Sequence, residues 1–294
     1  MSKINSATLA RHSANASRTR WAGVALAALT LALAGCNNKD FTAYALTSTG
    51  TIVQFATNKP TKITNKATVT GLSGSDSLVQ IAFNTAGTLY GVTTNNEICT
   101  VDPLAGAVSG CTTSFTTDRL SNIAASFDPI SGKLRVIAND SASSSGHLNF
   151  AIDPTSAAVD TNFSSKNLNY ADSTNGAPQI AAISYDNPIA GASTTTLFAL
   201  DINNQSLDHI GDKNVGANST TVAAGGVEGI GATNISFTSN VGLAIAPQDG
   251  TAYAVLGNAA SLYTIDLGNG GATLVDVVHD GDYTLISLTI APNS

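Results

Sequence analysis

Charged residues are scarce in this chain, and most of them are acidic. Asp, Glu, Lys and Arg make up only 11% of the 294 residues. Beyond residue 35 the chain holds 9 Lys and Arg against 20 Asp and Glu, a net charge of −11. The phosphates of nucleic acid repel a protein of this charge. We therefore exclude nucleic acid from the predicted partners.

Long apolar runs are missing, and so are the largest core side chains. Leu, Ile and Val occur in runs of three to six, too short for amphipathic helices of normal length. The single Met and the single Trp, Met1 and Trp21, both precede Cys36. A core must therefore be built from Leu, Ile, Val, Phe and Tyr. Since Gly, Ser, Thr, Asn and Ala are abundant, the composition predicts an all-β protein with many tight turns.

Catalytic motifs are missing as well. The chain has no Gly-x-Ser-x-Gly nucleophile elbow, and the glycine-rich segment 226–231 lacks the lysine of a phosphate-binding loop. The acids around His279 do not have the ligand order of a calcium loop. We therefore predict no catalytic residue, no metal and no cofactor, and expect that the protein is not an enzyme.

One short segment is present five times. It reads TLYGV at residues 88–92. Its variants are TAYAL at 42–46, KLRVI at 133–137, TLFAL at 196–200 and TAYAV at 251–255. The central position is aromatic in every copy except at Arg135, and the intervals are 46, 45, 63 and 55 residues. Short apolar segments at this spacing predict a β-propeller, with the segment as the second strand of each four-stranded blade.

The two ends of the domain determine the predicted number of blades. The copy that follows Phe41 has no strand before it, whereas residues 285–292 resemble a first strand with nothing after them. Pairing the C-terminal strand with the N-terminal strands completes a fifth blade and closes the ring. We therefore predict a five-bladed propeller over residues 41–294. The alternative is six blades, with segment 222–240 supplying the extra strands.

The N-terminus has the three parts of an export signal. A basic region ends at Arg20, and an uncharged apolar region follows that is too short to span a bilayer. The signal ends in Leu33-Ala34-Gly35-Cys36, which resembles the lipobox of bacterial lipoproteins. This resemblance implies a signal peptide at 1–35, lipidation of Cys36 and a short tether at 36–40. Because Asn37 follows the cysteine, it also implies anchoring in the outer membrane of the bacterial cell envelope.

The two remaining cysteines are Cys99 and Cys111. If residues 97–102 and 107–112 are the arms of one hairpin, the two thiols lie opposite each other and within disulfide reach. An oxidising envelope permits the bond. We predict a Cys99–Cys111 disulfide, the alternative being two reduced, packed thiols.

Three polar residues occupy matched positions at the ends of predicted first strands. They are Asn84, Asp128 and Asp186, whereas Pro247 and Pro292 take the same position in the other two blades. These three are the candidates for lining the central channel. The prolines favour ordinary turns over a ring of converging metal ligands.

Three segments resemble a known bacterial family. They are LYGV at 89–92, VDP at 101–103 followed by Gly106, and FDPISGKLRV at 127–136. They are similar to the family of domain of unknown function 4394, and the resemblance extends over residues 41–292. It implies a propeller-like fold in secreted or envelope proteins and carries no assigned activity.

These observations lead to one predicted function and two alternatives. We predict an envelope lipoprotein whose propeller binds a protein or a glycan, because propellers present variable loops on a rigid scaffold. One alternative is a metal-dependent hydrolase or lactonase-like enzyme that uses the channel. The other is a structural subunit of an envelope assembly.

Overall fold

The structure is a computed structural model, and it describes residues 39–140, 147–163, 167–171, 175–216, 220–256, 259–279 and 282–292. The chain divides into two units, residues 1–37 and 38–294. The predicted signal peptide, Cys36 and the first residues of the tether lie outside the described residues. No helix within the described part of the chain is long and apolar enough to cross a membrane.

The described chain forms twenty strands and one short helix. In chain order they are β1 (Thr42–Thr47), β2 (Thr51–Ala56), β3 (Lys59–Thr68), β4 (Leu78–Phe83), β5 (Leu89–Thr93), β6 (Ile98–Val101), β7 (Val108–Ser109), β8 (Leu120–Phe127), β9 (Leu134–Asp140), β10 (His147–Ile152), β11 (Asn169–Tyr170), β12 (Ile180–Tyr185), β13 (Thr195–Asp201), β14 (Ser206–Val215), α1 (Thr220–Ala223), β15 (Gly226–Ala232), β16 (Gly242–Ile245), β17 (Ala252–Leu256), β18 (Ser261–Ile265), β19 (Ala272–Val277) and β20 (Leu285–Ile290). Every copy of the repeated segment lies in a second strand, as predicted.

The strands form five sheets arranged as the blades of a propeller. Blade one has the order β20-β1-β2-β3, blade two β4-β5-β6-β7, blade three β8-β9-β10, blade four β12-β13-β14-β15-β11 and blade five β16-β17-β18-β19. The C-terminal strand β20 pairs antiparallel with β1, with Ala45 opposite Leu288. The five-bladed ring and its closure by the C-terminal strand are therefore confirmed.

A separate apolar cluster fills each of the five junctions between blades. The junction of blades one and two, for example, buries Tyr44 and Leu46 against Ile81 and Leu89. Because each sheet is covered on both sides by its neighbours, its strands read as continuous apolar runs and not as alternating patterns. The β13 strand shows this most clearly, since all seven of its residues are buried.

The repeated aromatic joins each blade to the next. Tyr44 packs edge-on against Phe83 of blade two, with ring centroids 5.4 Å apart, and Tyr90 packs against Phe127 of blade three at 5.1 Å. Aromatic pairs in such geometries add to the stability that burial provides. Arg135, the exception in the repeat, lies close enough to Tyr185 of blade four for its charge to oppose the rise that burial causes in the pKa of that tyrosine. The repeat therefore encodes contacts between blades.

The first strand of each blade is its inner strand, and these are β20, β4, β8, β12 and β16. Serine hydroxyls join the inner strands of neighbouring blades. Ser287 Oγ accepts a hydrogen bond from Ile81 N at 3.2 Å. Ser126 Oγ accepts one from Tyr185 N at 3.2 Å, and Ser184 Oγ accepts one from Ile245 N at 3.1 Å. Inner strands have no ladder partner on their channel side, so these hydroxyls satisfy buried N–H groups that would otherwise be costly.

Blade four shows what segment 222–240 contributes to the fold. Helix α1 follows β14, and β15 then supplies the fourth strand of the blade. The helix packs so closely on Gly211 that a Cβ there would lie 2.5 Å from Val222 N. Since β15 pairs with β14, segment 222–240 completes blade four, and the six-blade alternative is wrong.

Blade three is the least regular of the five. Among its described residues the blade has no fourth strand, and one bridge between Ile152 and Val159 takes its place. The chain is diverted here by Ala157, which has φ +58°, and by Asp153, which accepts a hydrogen bond from Ser156 N. An apolar segment predicts a strand, but the sequence pattern does not show where a turn takes the place of that strand.

The predicted disulfide is present in the hairpin of β6 and β7, with a Cα–Cα distance of 4.0 Å between Cys99 and Cys111. Near the turn the register is one residue away from the expected one, since Val101 lies opposite Val108. Gly110, with φ +58°, inserts a bulge that restores the expected register and brings the two cysteines opposite each other.

Candidate functional site

The five inner strands surround a narrow central channel. At their C-terminal ends, a cavity with about 40 Å³ accessible to the centres of water molecules is lined by mostly apolar side chains. That volume holds roughly three waters. None of the described residues that line this cavity is Asp, Glu, His, Lys or Arg.

The three candidate channel residues hold turns together. Asn84 does line the cavity, and its Oδ1 accepts hydrogen bonds from Ala86 N and Thr88 N. Asp128 accepts hydrogen bonds from the backbone and side chain of Ser131, and Asp186 accepts one from Thr196 N at 2.5 Å. Asp128 and Asp186 lie outside the set of lining residues.

A larger cavity lies at the opposite end of the channel, where the inner strands begin. Gln80 is hydrogen-bonded to Ile286, and Phe83 is hydrogen-bonded to Thr289. Both pairs are separated by the same number of residues, so β4 and β20 run in the same direction. Their first residues therefore meet at one end of the ring. We call this cavity the uncharged mouth. It is lined by Val79, Gln80, Thr94, Leu120, Ser121, Asn122, Ile123, Ser239, Asn240 and Ile286, and offers about 190 Å³ to the centres of water molecules.

Backbone irregularity and hydrogen bonds position the polar groups of the mouth. The β8 strand is irregular between Ser121 and Ala124, where Asn122 has φ +47°. Asn adopts this conformation more readily than most residues. Gln80 is fixed because its Nε2 donates to Ile286 O at 3.3 Å and its Oε1 accepts from Ser287 Oγ at 2.7 Å. Bulges of this kind are common beside functional sites.

The mouth is equipped to bind neutral polar groups. Its amides and hydroxyls can both donate and accept hydrogen bonds, and its aliphatic side chains offer apolar contact. The described lining contains no Asp, Glu, His or Cys, so it presents no nucleophile paired with a base. The sequence did not predict this site, because the candidate residues stood at the ends of the first strands, whereas the mouth lies where those strands begin.

A buried cluster of acids lies elsewhere, in blade four. Tyr170 Oη is 2.5 Å from Asp201 Oδ2 and also contacts Asp208 Oδ2. Asp201 Oδ1 accepts from two backbone N–H groups, those of Gln179 and Asn203. Both carboxyl groups are fully buried. The cluster therefore holds two carboxyl groups around one hydroxyl, which has one proton to donate.

Burial raises the affinity of Asp208 for a second proton in this cluster. Desolvation, with a smaller contribution from the charge of Asp201, raises the pKa of Asp208 to about 6, although hydrogen bonds from Tyr170 and Ser206 oppose the shift. Desolvation followed by the two carboxyl groups raises the pKa of Tyr170. Because the pKa of Asp208 is about 6, this carboxyl group gains or loses its proton near neutral pH, and the charge of the cluster changes with it.

Histidines and cysteines offer little for metal binding. Burial lowers the pKa of His147, and the charge of Asp201 opposes this shift. Among the described residues, the group of three potential ligands is Glu97, Cys99 and Cys111. Its sulfurs are joined in the disulfide, so neither can ligate a metal as a thiolate.

Five radial sheets around a central channel define the class of the protein as a β-propeller. Within that class, the chain belongs to the family described as Domain of unknown function (DUF4394), whose profile matches residues 51–289. The resemblance seen in the sequence is thereby confirmed. No curated protein matches the chain.

Solved structures are similar to the chain only in outline. A protein of unknown function from Bacteroides caccae is 10% identical, with a TM-score of 0.43, over 80% of this chain and 72% of that one. BamB from Moraxella catarrhalis is 14% identical, with a TM-score of 0.33, over 79% and 57%. A luciferin-regenerating enzyme is 12% identical, with a TM-score of 0.42, over 79% and 70%. Likeness at this level does not extend to function.

Proposed function

We propose that this protein is a lipoprotein of the bacterial cell envelope, anchored through Cys36 in the outer membrane, whose propeller binds a glycan at the uncharged mouth. The lipobox at 33–36 supports the anchor. The short tether supports it too, because folded structure begins at Thr42, six residues after the cysteine. Acyl chains on a terminal cysteine anchor a protein without a transmembrane helix.

The composition of the mouth carries the binding role. Sugars present hydroxyl groups and apolar C–H faces, and the mouth offers amides, hydroxyls and aliphatic side chains in a concave site. A charged ligand would find no ionic partner among the described lining residues. A rigid ring that holds Gln80 by two hydrogen bonds loses little entropy on binding.

Mass spectrometry of the protein purified from membranes tests the anchor. We expect an N-terminal Cys36 that carries diacylglycerol and an acyl chain, in the outer-membrane fraction. The Cys36→Ala variant should be neither acylated nor retained in membranes. Wild-type protein that is exported with an unmodified Cys36 would contradict the anchor.

Binding is tested by calorimetry of the lipidated protein in detergent against oligosaccharides released from the bacterial envelope. We expect Asn240→Ala and Ser121→Ala to weaken binding about tenfold each, which corresponds to the loss of one or two hydrogen bonds. Asn162→Ala is the control, because Asn162 is exposed and lies outside the lining of the mouth. Equal binding by all three variants would place the ligand elsewhere.

The same preparation separates the proposal from its alternatives. A metal-dependent hydrolase would contain stoichiometric metal and would turn over esters or lactones. A structural subunit, or a protein-binding scaffold, would bring a reproducible protein partner through pull-down from solubilised envelope. Glycan binding without turnover supports the proposed function.

A further inference from the structure

The charge of the chain is distributed unevenly along the sequence. Residues 41–75 contain three lysines and no acid, whereas residues 76–294 contain 19 Asp and Glu against 5 Lys and Arg. Strands β1 to β3 of blade one are therefore positive within a strongly acidic protein. Such an asymmetry indicates a surface that meets a negatively charged partner.

The three lysines lie together on the outermost strand of blade one. Lys59, Lys62 and Lys66 are all exposed on β3, which is the last strand of its sheet. Lys66 Nζ lies 5.2 Å from the centre of the Tyr283 ring. The positive charges thus follow the rim of the propeller and lie far from the channel.

An exposed leucine lies beside the same strand. Leu104, in the turn between β6 and β7, is 58% exposed. Its carbonyl oxygen accepts a hydrogen bond from Asn65 Nδ2 at 2.9 Å, so the turn rests against β3. The Cys99–Cys111 disulfide holds the hairpin that carries this turn. We call Lys59, Lys62, Lys66 and Leu104 the basic rim.

The tether reaches the propeller next to the basic rim. Thr57 Oγ1 donates to Lys39 O at 2.8 Å and accepts from Phe41 N at 3.1 Å. Residues 39–41 are therefore fixed to the turn from β2 into β3, two residues before Lys59. Cys36 is three residues from Lys39, a span of at most about 11 Å.

We propose that the basic rim docks on the anionic surface of the membrane that holds the lipid anchor, so that the outer edge of blade one faces the membrane. The proposal rests on the proposed lipidation of Cys36, which would hold the start of β3 within about two Debye lengths of the lipid headgroups. Lysines attract anionic headgroups, and an exposed apolar side chain beside the strand that carries them can insert at the interface. Three lysines together favour this orientation on the order of a hundredfold at low salt.

Lysine labelling tests the docking. The full lipidated protein is reconstituted in phosphatidylcholine vesicles with and without phosphatidylglycerol, treated with an amine-reactive reagent and analysed by mass spectrometry. We expect Lys59, Lys62 and Lys66 to label several times more slowly on anionic vesicles than on neutral ones. Lys213 is the internal reference, because it is exposed on blade four and should label equally on both. High salt should remove the difference.

The outcomes separate the docking from the anchor. Protein that floats with both kinds of vesicle but labels equally on both retains its anchor and overturns the docking; the lysines would then serve only to prevent pairing between strand edges. Protein that floats with neither has no anchor, which overturns both proposals. The variant Lys66→Glu should reduce the difference in labelling at Lys59 and Lys62 between the two kinds of vesicle, while Lys213→Glu should leave that difference unchanged.

Discussion

Replacing Asp208 with Asn should stabilise the protein at neutral pH. Asp208 is fully buried, and its Oδ1 accepts a hydrogen bond from Ser206 Oγ at 2.7 Å while its Oδ2 contacts the Tyr170 hydroxyl. An Asn side chain of the same shape can accept from Ser206 and donate to Tyr170. Tyr170 can then donate its only proton to Asp201. The amide therefore completes the network without a bound proton.

The magnitude follows from the pKa of Asp208, which is about 6 in the folded protein against an ordinary value of 3.8. The folded state therefore binds the proton of Asp208 more tightly than the unfolded state does. The stability that this proton contributes is complete below pH 3.8 and is lost as the pH rises through 6. A shift of this size amounts to about 3 kcal/mol. The free energy of unfolding of Asp208→Asn should thus exceed that of wild type by up to about 3 kcal/mol at pH 7.5 and by almost nothing near pH 4.

Urea denaturation followed by circular dichroism from pH 4 to pH 8 measures the difference. Acids with lowered pKa, such as Asp153 and Asp160, lose their contribution as the pH falls below their ordinary values, but they are the same in both proteins and cancel. Asp201→Asn is the control, because Asp201 already accepts two backbone N–H groups and a side-chain amide, so it should destabilise at every pH. A difference for Asp208→Asn that does not vary with pH would refute the reasoning.

Three other predictions concern the ring and the hairpin. Gly242→Ala should destabilise the protein by about 1–3 kcal/mol, because its Cβ would lie 2.3 Å from Leu288 N. The control Gly226→Ala meets open space and should change stability by less than about 1 kcal/mol. Urea midpoints that shift equally in the two variants would contradict this prediction. Ser184→Ala should cost about 1–3 kcal/mol because Ile245 N loses its acceptor, while the exposed Ser109→Ala should cost little by the same assay. Replacing Cys99 and Cys111 with Ser removes a cross-link of 12-residue separation and should lower the free energy of unfolding by about 3 kcal/mol; an unchanged melting temperature would show that the bond adds nothing.

The regular part of the fold could be predicted from the sequence because it depends on local repetition. Each second strand carries the same apolar segment, and the end of the chain supplied the missing first strand of blade one. The aromatic at the middle of the segment repeats because it packs on the next blade. The exception at Arg135 could be seen, but its partner Tyr185, 50 residues further along, could not.

The irregular parts depend on contacts that are distant in sequence. Strand β11 adds to blade four through only two residues, and Tyr170 is held there by acids 31 and 38 positions away. A bulge at Gly110 gives the disulfide hairpin one register near its turn and another at the cysteines. The uncharged mouth gathers Gln80, Asn122 and Asn240 from three blades, and no one segment reveals that convergence.

Hydrogen exchange of the C-terminal strand is the most direct test, because closure of the ring determines where both ends of the channel lie. Strand β20 pairs with β1 from Ala43 opposite Ile290 to Thr47 opposite Leu285. We expect peptides covering 285–290 to exchange as slowly as those covering 42–47, with slow exchange extending to 78–83. Exchange of 285–290 within seconds, while 42–47 remains protected, would contradict a ring closed by this strand.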